Sequence, residues 1–141
     1  MKILALVDGS ECSGKAIDYV ARHQDWFQGE DSLHLLHVHP KVPGGLTRSI
    51  VGIDAIHTYY AEESEAALEP AQQMLREKGI QYQASYKVGH IEEKVQEYVT
   101  EHDIEMIVMG SHGHGGLKGL VMGSVATRVL TTGSVPVLIV R

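Results

Sequence analysis

The chain has one cysteine, Cys12, among its 141 residues. Neither an internal disulfide nor a thiolate cluster for zinc or an iron–sulfur centre can form from it. A basic excess is also missing: 12 Lys and Arg stand against 18 Asp and Glu, a formal net charge of −6 with His neutral. That balance argues against a nucleic-acid partner held by a basic face. Long apolar runs are absent too. The longest stretches without Asp, Glu, Lys or Arg, 106–117 and 129–140, have 12 residues each, short of the roughly 20 that span a bilayer. Nor is a secretory leader legible, because Met1-Lys2 leads only into Ile3 to Val7 before Asp8 interrupts. The expectation is a cytoplasmic protein without membrane insertion. Its length fits one domain, 1–141, and 43% hydrophobic against 21% charged residues supplies a packed core rather than disorder.

What is present alternates. Residues 2–7 (KILALV) form a short apolar run ended by Asp8-Gly9-Ser10, the habit of a strand buried on both faces of a parallel sheet. Ala16, Ile17, Val20 and Ala21 then repeat on a helical period. Residues 32–39 (SLHLLHVH) read as a second strand closed by Pro40, and 40–57 as an excursion loop with Pro43, Gly44, Gly45 and Gly52. A long helix is predicted over 58–78, stopped by Gly79. Pro70 lies inside it and predicts a kink or two shorter helices. Residues 80–88 read as a third strand. Ile91, Val95, Tyr98 and Val99 mark a third helix, and 104–109 a fourth strand. A helix from about Ser124 to Thr132 and a strand over 135–140 complete the chain. Strict alternation of strand and helix predicts parallel strands joined by right-handed crossovers, a doubly wound α/β domain. Ligands of such sheets bind beyond the carboxyl ends of the strands, where the strand order reverses.

The segment between the fourth strand and the last helix carries the chemistry. It reads Gly110-Ser111-His112-Gly113-His114-Gly115-Gly116-Leu117-Lys118-Gly119, five glycines in ten positions, and leads to Gly123-Ser124. Glycine there permits positive φ and close approach of a ligand, and successive N–H groups in such a turn converge on an anion. A helix opening at Ser124 adds its own free N–H groups and the positive end of its dipole. Ser124 could cap that helix or give its hydroxyl to a phosphate oxygen. The segment reads as a phosphate cradle. It is not a Walker A loop, because no lysine stands between Gly123 and Ser124. A dinucleotide fingerprint fails as well: counted from Gly113 and Gly115, the third glycine position is Lys118.

The spacing G-x2-G-x9-G-[ST], Gly110, Gly113, Gly123 and Ser124, resembles that of the universal stress protein family in its ATP-binding branch. The resemblance extends along the chain: ALVDGS at 5–10, LLHVHP at 35–40, VGHIEEKVQEYV at 88–99, IVMGSHGHGG at 107–116, GSVATRVL at 123–130 and VPVLIVR at the end. It implies a five-stranded sheet of order 3-2-1-4-5, with ATP, alone or with Mg2+, between strands 1 and 4. By position, Asp8 would lie near the ribose and phosphates or a metal ion. Val38 would hold the adenine edge through its backbone. Gly110, Gly113, Gly123 and Ser124 would surround ribose and phosphates, with Ser111 or His112 alongside. The implied role is a nucleotide-dependent regulator in stress response, acting through a homodimer or a partner protein. The alternative is a slow ATPase or a nucleotidyl or phosphoryl transferase using the same site. No catalytic residue is assigned, since the loop offers one lysine and two histidines and nothing that must align a nucleophile.

Nine histidines raise the question of a metal. His37 and His39 share one face of the second strand while His34 points to the other, so the three do not converge. No Cys or carboxylate stands beside them at zinc-site spacing. Most are read as surface or turn residues, and Cys12 as a small buried hydrophobe. The last strand, in the order the resemblance implies, lies at a sheet edge. Val135, Val137, Leu138, Ile139 and Val140 carry no charge before Arg141, and Pro136 comes too early to protect the rest. The expectation is a homodimer through 135–141 with the strands paired antiparallel about a two-fold axis.

Overall fold

The computed structural model describes residues 1–43, 52–115 and 122–141. Five strands, β1 (Ile3–Leu6), β2 (Leu33–His39), β3 (Gln83–Val88), β4 (Met106–Gly110) and β5 (Val137–Val140), form one sheet. Four helices of the described residues connect them: α1 (Glu11–Ala21), α2 (Ile53–Glu77), α3 (Ile91–His102) and α4 (Ser124–Thr132). A 3-10 turn, Gln24–Trp26, follows α1. Strand order is β3-β2-β1-β4-β5 and every neighbouring pair is parallel. This is the α/β architecture that the alternation predicts. Among the described residues no helix is long and apolar enough to cross a membrane.

Strand parity divides the core into two layers. Ile3, Ala5, Val7, Leu33, Leu35 and Val108 face α1 and α2, against Ile17, Val20, Leu68 and Leu75. Leu4, Leu6, Leu36, Ile107 and Met109 face α3 and α4, against Val95, Val99, Ala126 and Val129. β1 is therefore apolar on both faces, and each buried Leu or Ile there contributes about 1.5–3 kcal/mol. The helix ends follow local chemistry. Ser10 caps α1, its hydroxyl accepting from Ser13 N at 3.2 Å. Gly79, at φ 67°, ends α2 with Ile80 N donating back to Leu75 O.

Beyond shifts of one or two residues at the ends of the other strands, three features differ from the sequence reading. α2 begins at Ile53, so 53–57 of the expected excursion loop is helical, and 44–51 lies outside the described residues. Gly52 precedes it at φ 78°, and Asp54 in its first turn suits the positive end of the dipole. α2 also runs through Pro70 as one helix rather than two, and Pro70 forgoes a single backbone bond there. β3 begins at Gln83, not at residue 80. Ile80 and Tyr82 belong to the turn before it and pack into the core, which gives that turn its apolar, strand-like pattern.

Candidate functional site

In this strand order the chain leaves β1 toward one face of the sheet, into α1, and leaves β4 toward the other, into α4. The carboxyl ends of β1 and β4 thus diverge and open a crevice. The β1 wall is the Asp8-Gly9-Ser10 turn. Asp8 Oδ1 accepts from Ser10 N at 2.9 Å, and Ser13 Oγ accepts from Asp8 N at 3.2 Å. Gly9 takes φ 79°, and a Cβ there would stand 3.4 Å from the Ala67 backbone.

The β4 wall is the first part of the glycine segment. Ser111 is buried and ties three pieces together. Its N–H donates to Val140 O at 2.9 Å, its carbonyl accepts from Gly123 N at 2.7 Å, and its hydroxyl pairs with His112 Nδ1 at 3.0 Å. The other ring nitrogen of His112, Nε2, is buried and has no partner among the described residues. His114 donates from Nε2 to the carbonyl of Asp8 at 2.8 Å, joining the two walls.

The three expected cradle glycines are needed for three different close approaches. At Gly110 a Cβ would meet the Cys12 backbone carbon at 2.6 Å, so this glycine lets α1 pack onto the end of β4. At Gly113 a Cβ would lie 2.5 Å from Asp8 Oδ2. At Gly123 it would press on Ser111 O and His112 Cα at 3.3 and 3.4 Å. Positive φ, the general reason for glycine in such a loop, applies in the described part only to Gly115, at 74°. Lys118, the one lysine of the glycine segment, lies outside the described residues.

α4 opens on the crevice. Gly123 is its N-cap, with φ −76° and ψ 167°, and no side chain among the described residues caps it. Ser124 is the first helical residue rather than the cap, which leaves its hydroxyl and the first-turn N–H groups without a capping bond. An uncapped N-terminus beside a narrow glycine turn suits an anion.

Val38 completes the set. Its side chain packs in the α3–α4 layer. The parallel ladder fixes its backbone: Leu36 O accepts from Val7 N on the β1 side, while His39 O accepts from Gly89 N on the β3 side. Alternation turns the Val38 N–H and C=O toward β1. The β1–β2 register, however, ends at Leu6↔Leu36. Both polar groups of Val38 therefore face the space that β1 has left. The contacts above bring Asp8, Ser111, His112, Gly113 and Gly123 together; Ser124 follows Gly123 at the start of α4, Val38 stands near the carboxyl end of β2, and Gly110 packs against Cys12.

From the sequence His37 and His39 are weighed only as metal ligands and given no part in the site. His37 donates from Nδ1 to Val7 O at 2.8 Å. Burial holds its pKa below the usual imidazole value, against the Val7 hydrogen bond, with nearby His39 adding to the lowering. His39 meets the rings of Tyr59 and Tyr60 at 5.6 and 5.2 Å between centroids. The signal was a histidine on each side of Val38 at a strand's carboxyl end. Among the described residues no group of three His, Cys, Asp or Glu side chains gathers to hold a metal ion.

Comparison with known proteins agrees with the fold. The profile described as the universal stress protein family matches residues 1–141. Universal stress protein YxiE of Bacillus subtilis is 34% identical over 148 aligned positions, covering 99% of this chain and 98% of that protein. The solved structure of the Methanocaldococcus jannaschii protein MJ0577 is 26% identical, with TM-score 0.79 over 99% of this chain and 94% of its own. A universal stress protein from Archaeoglobus fulgidus, solved in complex with dAMP, shares the fold at 20% identity. Its TM-score is 0.65, over 100% of this chain and 98% of its own.

Proposed function

This chain belongs to the universal stress protein family, and from that premise we propose that it is an adenine-nucleotide-binding regulator that holds ATP in the β1–β4 crevice. The observation that carries the reading is a pair of features at the carboxyl ends of the two strands that flank β1. On β2 the Val38 N–H and C=O face the space that β1 has left, and beyond β4 the helix α4 begins at Ser124 with no side-chain cap among the described residues. Adenine offers a ring-nitrogen acceptor beside an amino donor, the complement of a backbone N–H and C=O. Guanine presents the reverse order and leaves both groups of Val38 mismatched. Phosphates suit the N–H groups of Ser124 and its successor, with Gly113 and Gly123 giving close access. A Mg2+ ion would rest on Asp8 Oδ2 and on the phosphates' own oxygens. The dAMP-bound relative supports the ligand class.

Thermal unfolding with and without nucleotide tests this. ATP with magnesium at 100 times its Kd should add about 2.7 kcal/mol of stability and raise Tm, with GTP giving a smaller rise. No shift at millimolar ATP removes the assignment.

The regulatory unit is a homodimer through β5, in the cytoplasm and in a stress response. β5 is a sheet edge whose Val137, Leu138, Ile139 and Val140 are half-buried, with no charge before Arg141. The opposite edge, β3, carries Gln83, Ser85 and Lys87 and is blunted in the usual way. Light scattering at micromolar concentration should give twice the 15.5 kDa chain mass, and Leu138→Lys with Val140→Glu should return it to one chain. A monomeric wild type, or a double variant that stays dimeric, refutes this interface.

A further inference from the structure

We propose that His37 is a positioning residue for the nucleotide crevice: by holding the Val7 carbonyl it stops β1 from pairing with Val38 and leaves the Val38 N–H for the base. The inference rests on the reading of the crevice as an adenine-nucleotide site. β1 and β2 pair through Leu6↔Leu36, and Val7 N still donates to Leu36 O at 3.0 Å. In a parallel ladder the next rung would be the Val38 N–H on Val7 O. That rung is replaced. Val7 O takes the His37 Nδ1–H at 2.8 Å. The residue after it turns away from the sheet, with Asp8 N on Ser13 Oγ and Asp8 Oδ1 on Ser10 N.

The geometry is economical only if the N–H of Val38 has another use. A backbone N–H next in the ladder could satisfy Val7 O by itself, with no side chain buried to do it. Here a half-buried imidazole does so, and a strong donor is left facing the cleft, a costly arrangement unless water or a ligand meets it. Its tautomer follows from the same bond: Nδ1 carries the proton, and Nε2 is the acceptor. An asparagine amide nitrogen can stand near the place of Nδ1, whereas leucine keeps the bulk and loses the donor.

Amide hydrogen exchange and AMP titration of the wild type, His37→Leu and His37→Asn test it. In the nucleotide-free wild type the Val38 amide should exchange quickly, and saturating AMP should slow it at least tenfold. In His37→Leu it should be slow without nucleotide, because β1 extends its ladder, and AMP affinity should fall at least tenfold. His37→Asn should restore both. A Val38 amide already slow in the nucleotide-free wild type, or a His37→Leu variant that binds AMP as the wild type does, overturns the inference while the nucleotide site stands. A wild type whose Val38 amide is fast but which binds no adenine nucleotide overturns the reading of the site, and with it this use of Val38. The wild-type measurement alone decides the matter if His37→Leu does not fold.

Discussion

Of the three histidines of strand β2, His34 near its amino end and His37 near its carboxyl end are used in opposite ways. At the amino end His34 is fully buried. Its Nδ1 lies 2.9 Å from the Tyr98 hydroxyl, and its Nε2 lies 3.2 Å from Asp31 Oδ1. Ser85 Oγ donates to the same tyrosine oxygen at 3.2 Å, and His102 stacks on the tyrosine ring at 4.1 Å. Lys2 closes the cluster through Asp31 at 2.9 Å and His102 O at 3.2 Å. A neutral imidazole with its proton on Nε2 satisfies the chain: Ser85 to Tyr98, Tyr98 to His34, His34 to Asp31. At the carboxyl end His37 satisfies one carbonyl and leaves a neighbouring N–H to the crevice. One end of the sheet is a completed network and the other is an incomplete one. A completed polar network stabilises, while polar groups left toward a cleft await a ligand, so function is sought at the open end.

The largest effect is expected at the open end. Gly113→Val puts a branched Cβ where Asp8 Oδ2 stands 2.5 Å away, so Asp8 or the loop must move. Nucleotide affinity should fall at least 100-fold, about 2.7 kcal/mol, by titration calorimetry, with the Tm of the nucleotide-free protein shifted far less. A variant that binds like the wild type would show that Asp8 and Gly113 do not shape the site. A smaller effect of the opposite kind is expected at the closed end. Tyr98→Phe leaves His34 Nδ1 without its donor, which should cost about 1–3 kcal/mol in urea unfolding. Nucleotide affinity should hardly change, and a loss of binding would mean that the two ends are coupled.

The smallest effect is with pH, and it sharpens the contrast. Burial, the leading cause, lowers the pKa of both His34 and His37 from the ordinary 6.5. For His34 the hydrogen bond and charge of Asp31 oppose that lowering, and His102 and Lys2 add to it. For His37 the Val7 hydrogen bond, Asp8 and Glu63 oppose it, and His39 adds to it. A depressed imidazole takes its proton more readily in the unfolded chain. Stability is thus whole above the unfolded pKa near 6.5 and declines as pH falls from there toward the folded values. Each histidine adds a slope of at most about 1.4 kcal/mol per pH unit. Urea midpoints between pH 7.5 and pH 5 should fall, and His34→Gln should flatten part of that fall. A midpoint that is level over this range would contradict the buried neutral state of both rings.

Much of this was legible because it is repeated locally. The helix predicted from about Ser124 to Thr132 forms over those residues, and the alternation of elements points to the parallel sheet it produces. The start of α2 was hidden because Gly52, with no side chain to cap a helix, stands where the sequence reads as a loop. Ser124 looked like a cap because serine favours that position, yet Gly123 takes it. The glycines were found by their spacing, while their reasons were not. That Gly110 answers to Cys12 and Gly113 to Asp8 depends on contacts between segments about a hundred residues apart in the chain.

By itself the sequence determined the order of elements, the apolar strands and the family spacing of glycines, since each rests on side-chain period and residue type within a short window. Tertiary structure alone decided what each polar group meets. The ladder turns the Val38 backbone to the crevice, and strand parity sends His34 into one layer and His37 into the other. Where β1 stops pairing determines whether an N–H becomes a rung or a contact for a ligand. Those outcomes depend on the register between strands and on where each strand leaves the sheet, and a register is a relation between segments that neither segment encodes alone.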